Sequence, residues 1–217
     1  MHLISNRIII LLSILPLSAC DQASNFEDIE KSANQGDALS QALLGEAYVN
    51  GEGVSQDYKK AFEWYIKAAK QGNVDAQNNL GALYANGHGV AEDDKQAFEW
   101  YNKAAKQGNA QAQNNLGAAY ANGEGVIQDY KKAFEWYSKA AEQGNADAQK
   151  YLGFLYEDGS GVTQDYKKAF EWYNKSAEQG NVDAQYSLGR IYAIGQGVTQ
   201  DYKKAFEWYK KSAEQGN

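Results

Sequence analysis

The sequence is poor in three residue types that often direct a search for function: cysteine, histidine and proline. Its 217 residues contain one cysteine, two histidines and one proline. A single cysteine excludes an intramolecular disulfide. The two histidines, His2 and His88, leave no material for a zinc site or for a Ser-His or Cys-His nucleophile pair. The proline, Pro16, lies near the N-terminus, outside the repeated part of the chain.

Basic residues are outnumbered as well. Lys and Arg total 21 against 28 Asp and Glu, which gives a formal net charge of -7. Because affinity for phosphates needs an excess of Lys and Arg on one face, we expect no nucleic-acid partner. The serine β-lactamase motifs Ser-x-x-Lys, Ser-Asp-Asn and Lys-Thr-Gly are also absent. These absences predict a protein that is not an enzyme and that holds no cofactor or metal.

The N-terminal residues 1–19 predict a signal peptide. Arg7 precedes an uncharged run of 12 residues, 8–19, whereas a membrane-spanning helix needs roughly 20. The run ends in Leu-Ser-Ala-Cys at residues 17–20, which resembles the lipobox of bacterial lipoproteins. That resemblance implies a diacylglycerol on the Cys20 thiol. Ordinary secretory cleavage after Ala19 is the alternative, but Leu17 is larger than the residues preferred three positions before such a cut.

Lipidated Cys20 would anchor the protein to a membrane of the bacterial cell envelope, because several acyl chains give stable attachment. Asp21 resembles a signal for retention in the inner membrane, on its periplasmic side; the outer membrane stays an alternative. Residues 20–25 are expected to be the lipidated cysteine and a short linker. Fully extended, the five residues after Cys20 reach about 18 Å, so the folded part is expected close to the membrane surface.

A repeat of 36 residues occupies the rest of the chain. The stretch QDYKKAFEWY begins at residues 56, 128, 164 and 200, and the near-copy EDDKQAFEWY begins at residue 92. Self-similarity at a fixed period predicts a repeat architecture in which each unit contacts its neighbours. The predicted units are a half repeat with the second helix only, 26–37, and five full repeats, 38–73, 74–109, 110–145, 146–181 and 182–217.

Each full repeat reads as two helices joined by a glycine-rich loop. In residues 74–109 apolar side chains recur on one face of a first helix. The Gly87-His88-Gly89 loop interrupts it, and both glycines are free to take a positive φ. A second helix follows and ends at Gly108, where a left-handed C-cap is expected. The first helix places these residues on its buried face: Ala76, Leu80, Leu83 and Tyr84. The second helix buries these: Ala97, Phe98, Tyr101, Ala104 and Ala105. The pattern predicts an all-α fold of stacked helix pairs.

The repeat unit resembles the Sel1-like repeat, a relative of the tetratricopeptide repeat. The shared pattern is A-x-N-x-L-G-x-x-Y-x-x-G-x-G-V, followed by D-x-x-K-A-F-E-W-Y-x-K-A-A-x-Q-G-N, and it covers residues 26–217. The resemblance implies an α-solenoid, a right-handed superhelix of helix-turn-helix repeats that binds a protein or peptide in its concave groove. Two other functions stay open: a β-lactamase-type hydrolase, although that branch carries paired cysteines, and a surface-exposed host-interaction factor.

The second helices are nearly identical in all copies, which predicts that their aromatic residues form the core, with the Trp136 ring buried. The first helices vary at three positions on one side, which we call the variable face and which the resemblance places in the groove. The positions are Ala42, Asn78, Asn114, Lys150 and Tyr186; Glu46, Ala82, Ala118, Phe154 and Arg190; and Val49, Ala85, Ala121, Glu157 and Ala193.

The candidate binding residues lie on and beside the variable face. Aromatic and Arg side chains together are typical of protein-binding hot spots, and Asn side chains can hydrogen-bond a peptide backbone. Neutral drift on a solvated helix face is the alternative explanation for the variation. The predicted groove residues are Asn78, Asn79, Asn114, Asn115, Lys150, Tyr151, Phe154, Glu157, Tyr186 and Arg190.

The C-terminal end of the array is a second candidate surface. No further first helix follows residues 201–215, so part of the apolar stripe of that helix is expected to lack cover. An exposed apolar patch commonly marks an interaction site, which predicts self-association through Phe206, Tyr209 and Ala213. Fraying of this polar helix end is the alternative.

We predict that Cys20→Ser abolishes incorporation of a labelled fatty acid, because a serine hydroxyl is a much weaker nucleophile than a thiolate. The measurement is metabolic labelling followed by detergent phase partitioning, with Ser24→Ala as a control. If the Cys20→Ser protein still partitions into detergent like the parent, the lipobox interpretation is wrong.

Overall fold

Eleven α-helices and no strand make up residues 19–216, the part of the chain that the computed structural model describes; side chains are described for residues 26–216. The fold is all-α over this range. The helices are α1 (Ala19–Asn34), α2 (Ala38–Asn50), α3 (Tyr58–Lys70), α4 (Val74–Asn86), α5 (Asp94–Lys106), α6 (Ala110–Asn122), α7 (Tyr130–Glu142), α8 (Ala146–Asp158), α9 (Tyr166–Glu178), α10 (Val182–Ile194) and α11 (Tyr202–Glu214).

The chain divides into two compact units between Trp100 and Tyr101. The even-numbered helices α2 to α10 are the first helices of repeats. In the first unit α2 packs against α1 and α3, and α4 packs against α3; in the second unit α6 packs against α7, α8 against α7 and α9, and α10 against α9 and α11. The core of the first unit includes Leu44, Tyr65 and Leu80. In the second unit the equivalent residues of the last three repeats are buried: Leu116, Tyr137, Leu152, Tyr173 and Leu188.

Side-chain caps at the helix starts explain where the helices begin. Asn145 accepts a hydrogen bond from the backbone N–H of Ala148 at the start of α8, and Asp165 accepts from Lys167 and Lys168 at the start of α9. Such caps satisfy backbone donors that the first turn leaves unpaired, and each contributes about 1 kcal/mol. The same Asn cap precedes α4, α6 and α10, and the same Asp cap precedes α3, α7 and α11.

A glycine and a tyrosine set the distance between the two helices in repeats 1, 3, 4 and 5. A Cβ atom added to Gly153 on α8 would lie 2.7 Å from Cδ1 of Tyr173 on α9, and real Cβ contacts essentially never fall under 3.0 Å. Glycine therefore allows the tyrosine ring to approach the first helix this closely. The same contact occurs at Gly45 with Tyr65, Gly117 with Tyr137 and Gly189 with Tyr209.

Successive repeats are joined by a loop contact and by an aromatic pair. Gly161 has a φ of +73°, and a Cβ atom there would lie 2.3 Å from the carbonyl oxygen of Tyr130 in the preceding repeat. The loop of one repeat thus lies directly on the start of the previous second helix. Beside this contact, the rings of Phe134 and Tyr156 pack edge to face with centroids 5.4 Å apart. The positive φ values predicted for Gly87, Gly89 and Gly108 are confirmed.

A buried glutamine on each first helix provides a polar link that the sequence analysis missed. Nε2 of Gln149 donates to the carbonyl oxygen of Ala141 at 3.2 Å, and its Oε1 accepts from Nε2 of Gln179 at 2.7 Å. A buried amide is costly unless such bonds satisfy it. Gln41, Gln113 and Gln185 make the same two bonds. The sequence feature that could have indicated this link is a glutamine next to an alanine at the same position of all five repeats.

The tryptophans differ from the prediction of a fully buried core, which is wrong for Trp136. Trp136 is half-buried, whereas the adjacent Tyr137 is buried. One residue turns a helix by about 100°, which places the indole at the edge of the buried stripe. Nζ of Lys139 lies 4.0 Å from the indole centroid, and Lys67, Lys175 and Lys211 cover Trp64, Trp172 and Trp208 in the same way.

The N-terminal helix α1 begins earlier than the predicted half repeat. Its backbone includes residues 21–25, which were expected to form a short linker; as a helix they advance about 8 Å, less than the limit of about 18 Å for an extended chain. Phe26 packs edge to face against Tyr48, as the second helix of a half repeat would. The predicted signal peptide and the Cys20 side chain lie outside the described residues and side chains, so lipidation stays a prediction.

We predict that Tyr137→Ala lowers the free energy of unfolding by about 3–5 kcal/mol, because it empties a buried ring site. Trp136→Ala serves as the neighbouring control and should cost roughly half as much, since part of the indole already contacts water. Urea denaturation followed by circular dichroism measures both. An equal or larger loss for Trp136→Ala would contradict the assignment of the tyrosine as the main packing residue.

We also predict that Gly153→Ala destabilises the protein by about 1–3 kcal/mol through overpacking, although alanine is the better helix former by about 1 kcal/mol. In a Tyr173→Leu background, which removes the opposing ring, the same change should cost much less. The coupling energy from this double-mutant cycle is the measurement. A coupling near zero would show that the glycine–tyrosine contact does not set the helix spacing.

Candidate functional site

The variable face is best developed on α8 and α10, which carry six of the ten predicted groove residues. Phe154 and Tyr186 are exposed large apolar side chains, at 46% and 51% of their full accessibility. Lys150, Glu157 and Arg190 lie around them and are partly buried. The structure therefore brings these five residues together on neighbouring helices of the second unit.

Two ion pairs connect α8 to α10. Nζ of Lys150 lies 3.1 Å from Oδ2 of Asp183, and Nη2 of Arg190 donates to Oε1 of Glu157. Both pairs join residues 33 positions apart, and on each helix the two partners are separated by about two turns. The pairs therefore fix the register between the first helices of the last two repeats.

Both cations on this surface are held in their charged form. Burial by itself lowers the pKa of Lys150, but neighbouring Tyr151 and Asp183 outweigh it and raise the pKa above its usual value. Burial likewise opposes the charge of Arg190, and the hydrogen bond and charge of Glu157 raise its pKa. These ion pairs persist throughout the physiological pH range, because both pKa values lie above those of free side chains.

Glu157 also ties the surface to the core. The hydroxyl of Tyr173, the ring that lies on Gly153, donates to Oε2 of Glu157 at 3.0 Å. Burial and the negative charge of Glu157 raise the pKa of this tyrosine. The carboxylate thus accepts from both Arg190 and Tyr173, so its position is set by packing as well as by charge.

Of the three aromatic candidates, Tyr151, Phe154 and Tyr186, Tyr151 packs within the fold. Its ring stacks on Tyr137 with centroids 4.9 Å apart, and Nζ of Lys150 lies 4.3 Å from its centroid on the ring face. Phe154 and Tyr186 remain as the exposed rings. We call the ring patch the surface formed by Phe154, Tyr186 and the two flanking ion pairs.

The four predicted asparagines do not form an open ladder for a peptide, and the prediction is wrong for Asn78 and Asn114, which are buried. At the equivalent place in repeat 4, Lys150 pairs with Asp183 on the following first helix. Asn79 donates to the Tyr65 hydroxyl at 3.2 Å, and Asn115 accepts from Gln111 at 3.1 Å. Among the described residues, the Asn114 amide has no hydrogen-bond partner.

The first unit presents a different chemistry on the same face. Glu46 occupies the position of Phe154 and is partly buried on α2. Burial raises its pKa, and the negative charges of Glu52 and Asp75 raise it further. The variable face thus changes from acidic in repeat 1 to aromatic and ion-paired in repeats 4 and 5.

The last helix has the uncovered face that was expected. Phe206 is 68% exposed, whereas Phe170, its equivalent one repeat earlier, packs edge to face against Tyr192. Ala213 is exposed and Tyr209 is only partly buried. Self-association through this face stays a prediction.

The described residues contain neither a candidate metal site nor a candidate membrane-spanning helix. No three His, Cys, Asp or Glu side chains are grouped there so that they could hold a metal ion. None of the described helices has the length and apolar character needed to cross a membrane. His88 stacks on Tyr58 with ring centroids 4.6 Å apart.

Comparison with known proteins identifies the repeat. A family profile described as Sel1 repeat matches five segments, residues 38–73, 74–109, 110–145, 146–181 and 182–217. These bounds coincide with those of the five full repeats read from the sequence. No curated protein matches the chain.

Solved structures show the same fold. One is c5321, described as a protective antigen present in uropathogenic Escherichia coli strains and displaying an SLR fold; identity is 44%, the TM-score is 0.84, and the match covers 91% of this chain and 42% of that chain. A Sel1 repeat protein from Oxalobacter formigenes has 36% identity and a TM-score of 0.81, with 91% and 84% covered. The predicted all-α solenoid class is confirmed.

Proposed function

The chain belongs to the Sel1 repeat family, and we propose that it is a non-enzymatic scaffold that binds a partner protein or peptide on its variable face. Sel1 repeat proteins are generally protein-interaction scaffolds. The observation that carries the proposal is the exposure of two large rings, Phe154 and Tyr186, on the variable face of α8 and α10, whose leucines Leu152, Leu155 and Leu188 are buried.

The ring patch has the composition that protein-binding surfaces favour. Energetic hot spots are enriched in aromatic residues and Arg, and they lie in places that a partner can shield from water. Phe154, Tyr186 and Arg190 meet this description. The internal second helices α7 and α9 offer less, because Tyr137 and Tyr173 are buried there and lysines cover Trp136 and Trp172.

The proposal places this scaffold at a membrane of the bacterial cell envelope. The support is the sequence Leu-Ser-Ala-Cys ending at Cys20, together with the short distance between Cys20 and the first repeat. Asp21 favours the periplasmic side of the inner membrane over the outer membrane. The partner is accordingly an envelope protein or peptide.

A second candidate function is that of a surface-exposed, host-facing protein. The favouring observation is that the similar E. coli protein is described as a protective antigen. This chain spans 42% of the length of that protein. Protease treatment of intact cells separates the candidates: digestion of the protein supports the host-facing one, and full protection supports a periplasmic scaffold.

We predict that Phe154→Ser combined with Tyr186→Ser reduces capture of the partner at least about tenfold, because truncating central aromatic residues removes most of the energy of such an interface. The melting temperature should change little, since both rings are exposed. Quantitative pull-down from membrane extracts with the immobilised full-length chain is the measurement.

The matched control is Ile127→Ser, which removes an apolar side chain that is 88% exposed in a loop away from the variable face. This variant should capture the partner like the parent. If the double variant also captures it normally, or if the control loses as much, the variable face is not the binding surface.

A further inference from the structure

The charged groups of the ring patch are already committed to one another. Lys150 pairs with Asp183 and Arg190 pairs with Glu157, and the Lys150 and Glu157 side chains are only 14% and 17% exposed. Asp147, on the same side of α8, accepts a hydrogen bond from Nδ2 of Asn181 at 2.9 Å. The patch therefore offers little free charge to a partner.

A charged partner gains little from these pairs. A partner carboxylate could take Arg190 only by leaving the shielded Glu157, which also accepts from the Tyr173 hydroxyl, without its cation. It could reach Lys150 only through a side chain that is 14% exposed. A basic partner finds the Asp183 carboxylate, which is 66% exposed, and such an exposed pair contributes little. The arrangement therefore disfavours acidic ligands and gives basic ligands little gain.

The apolar groups keep about half of their area exposed, although the Tyr186 ring also packs against Tyr209 with centroids 5.4 Å apart. Phe154 lies about one turn from Lys150 and from Glu157 on α8, and Tyr186 lies about one turn from Asp183 and from Arg190 on α10. The two exposed rings thus lie between the two ion pairs. Their apolar area is the largest source of binding energy on this surface.

The fold of the repeat does not require a ring at either position. At the position of Phe154 the other repeats carry Glu46, Ala82, Ala118 and Arg190, and at that of Tyr186 they carry Ala42, Asn78, Asn114 and Lys150. The repeat therefore folds with small, polar or charged residues at both sites. The rings distinguish repeats 4 and 5 from the rest of the chain.

Building on the proposed scaffold function, we propose that the ring patch binds an uncharged, apolar segment of its partner, one that presents aliphatic or aromatic side chains to Phe154 and Tyr186. The ion pairs hold α8 and α10 in register on either side of the rings. They also discriminate against charged segments. The specificity then comes from disfavouring the wrong ligand rather than from attracting the right one.

The test selects peptides from a phage-displayed library of random peptides, about 12 residues long, a length sufficient to cross a groove. The bait is the full-length chain, and the Phe154→Ser and Tyr186→Ser double variant is used for subtraction. We expect enrichment of uncharged peptides with two or more large apolar residues. Their affinity should fall at least about tenfold on the double variant and change less than about twofold between roughly 50 and 500 mM NaCl.

A charge-exchanged variant outside the ring patch, Lys210→Glu with Glu214→Lys, is the control of the test. It reverses an exposed ion pair on α11, so binding of the apolar peptides should be retained within about threefold, as for a pair that the ligand does not contact. Circular dichroism melting shows whether this variant folds; if it does not, the salt titration on the parent chain decides.

Three outcomes would overturn the inference. Enrichment of acidic or basic peptides whose binding depends on the ring patch rejects the apolar partner but keeps the scaffold function. No enrichment over the double variant rejects both. Sedimentation that shows the rings mediating association of two copies of the chain, without peptide, assigns the patch to a homodimer instead.

Discussion

The contact between a helical glycine and a tyrosine, present in repeats 1, 3, 4 and 5, is the constraint on which the rest of the structure depends. Because Gly153 has no Cβ, the Tyr173 ring lies directly against α8 and brings the two helices of the repeat close together. The same ring directs its hydroxyl to Glu157, which in turn pairs with Arg190 on the next first helix. One packing contact thus positions a charged group on the surface.

This dependence explains why the repeats conserve their interior and vary their first helices. The tyrosine, the buried glutamine and the capping residues have partners in every copy, so each is needed wherever the repeat occurs. The fold does not require a residue such as Phe154, because alanine or a charged residue occupies its position in other repeats. Function can therefore change along the array without disturbing the stack.

Much of the fold was predictable, because a fixed period reports both helix phase and repeat bounds. The helix pairs, the positive φ of Gly87 and the exposed Phe206 followed from that periodicity. What depends on contacts between repeats was not predictable from spacing alone: Asn78 is buried by its neighbours, and Lys150 meets a carboxylate 33 residues away. The tryptophans were predicted to be fully buried and are half-buried, because residue type alone does not show whether a ring lies at the centre or at the edge of the buried face of a helix.

The central claim is that the partner contacts the variable face of the first helices and not the repeated second helices. Site-specific photocrosslinking in living cells tests it most directly, with a photoreactive amino acid introduced in place of Phe154 in one strain and of the exposed Glu135 on α7 in another. The account predicts a discrete crosslinked partner from position 154 and none from position 135. A crosslink of equal or greater yield from position 135 would contradict it.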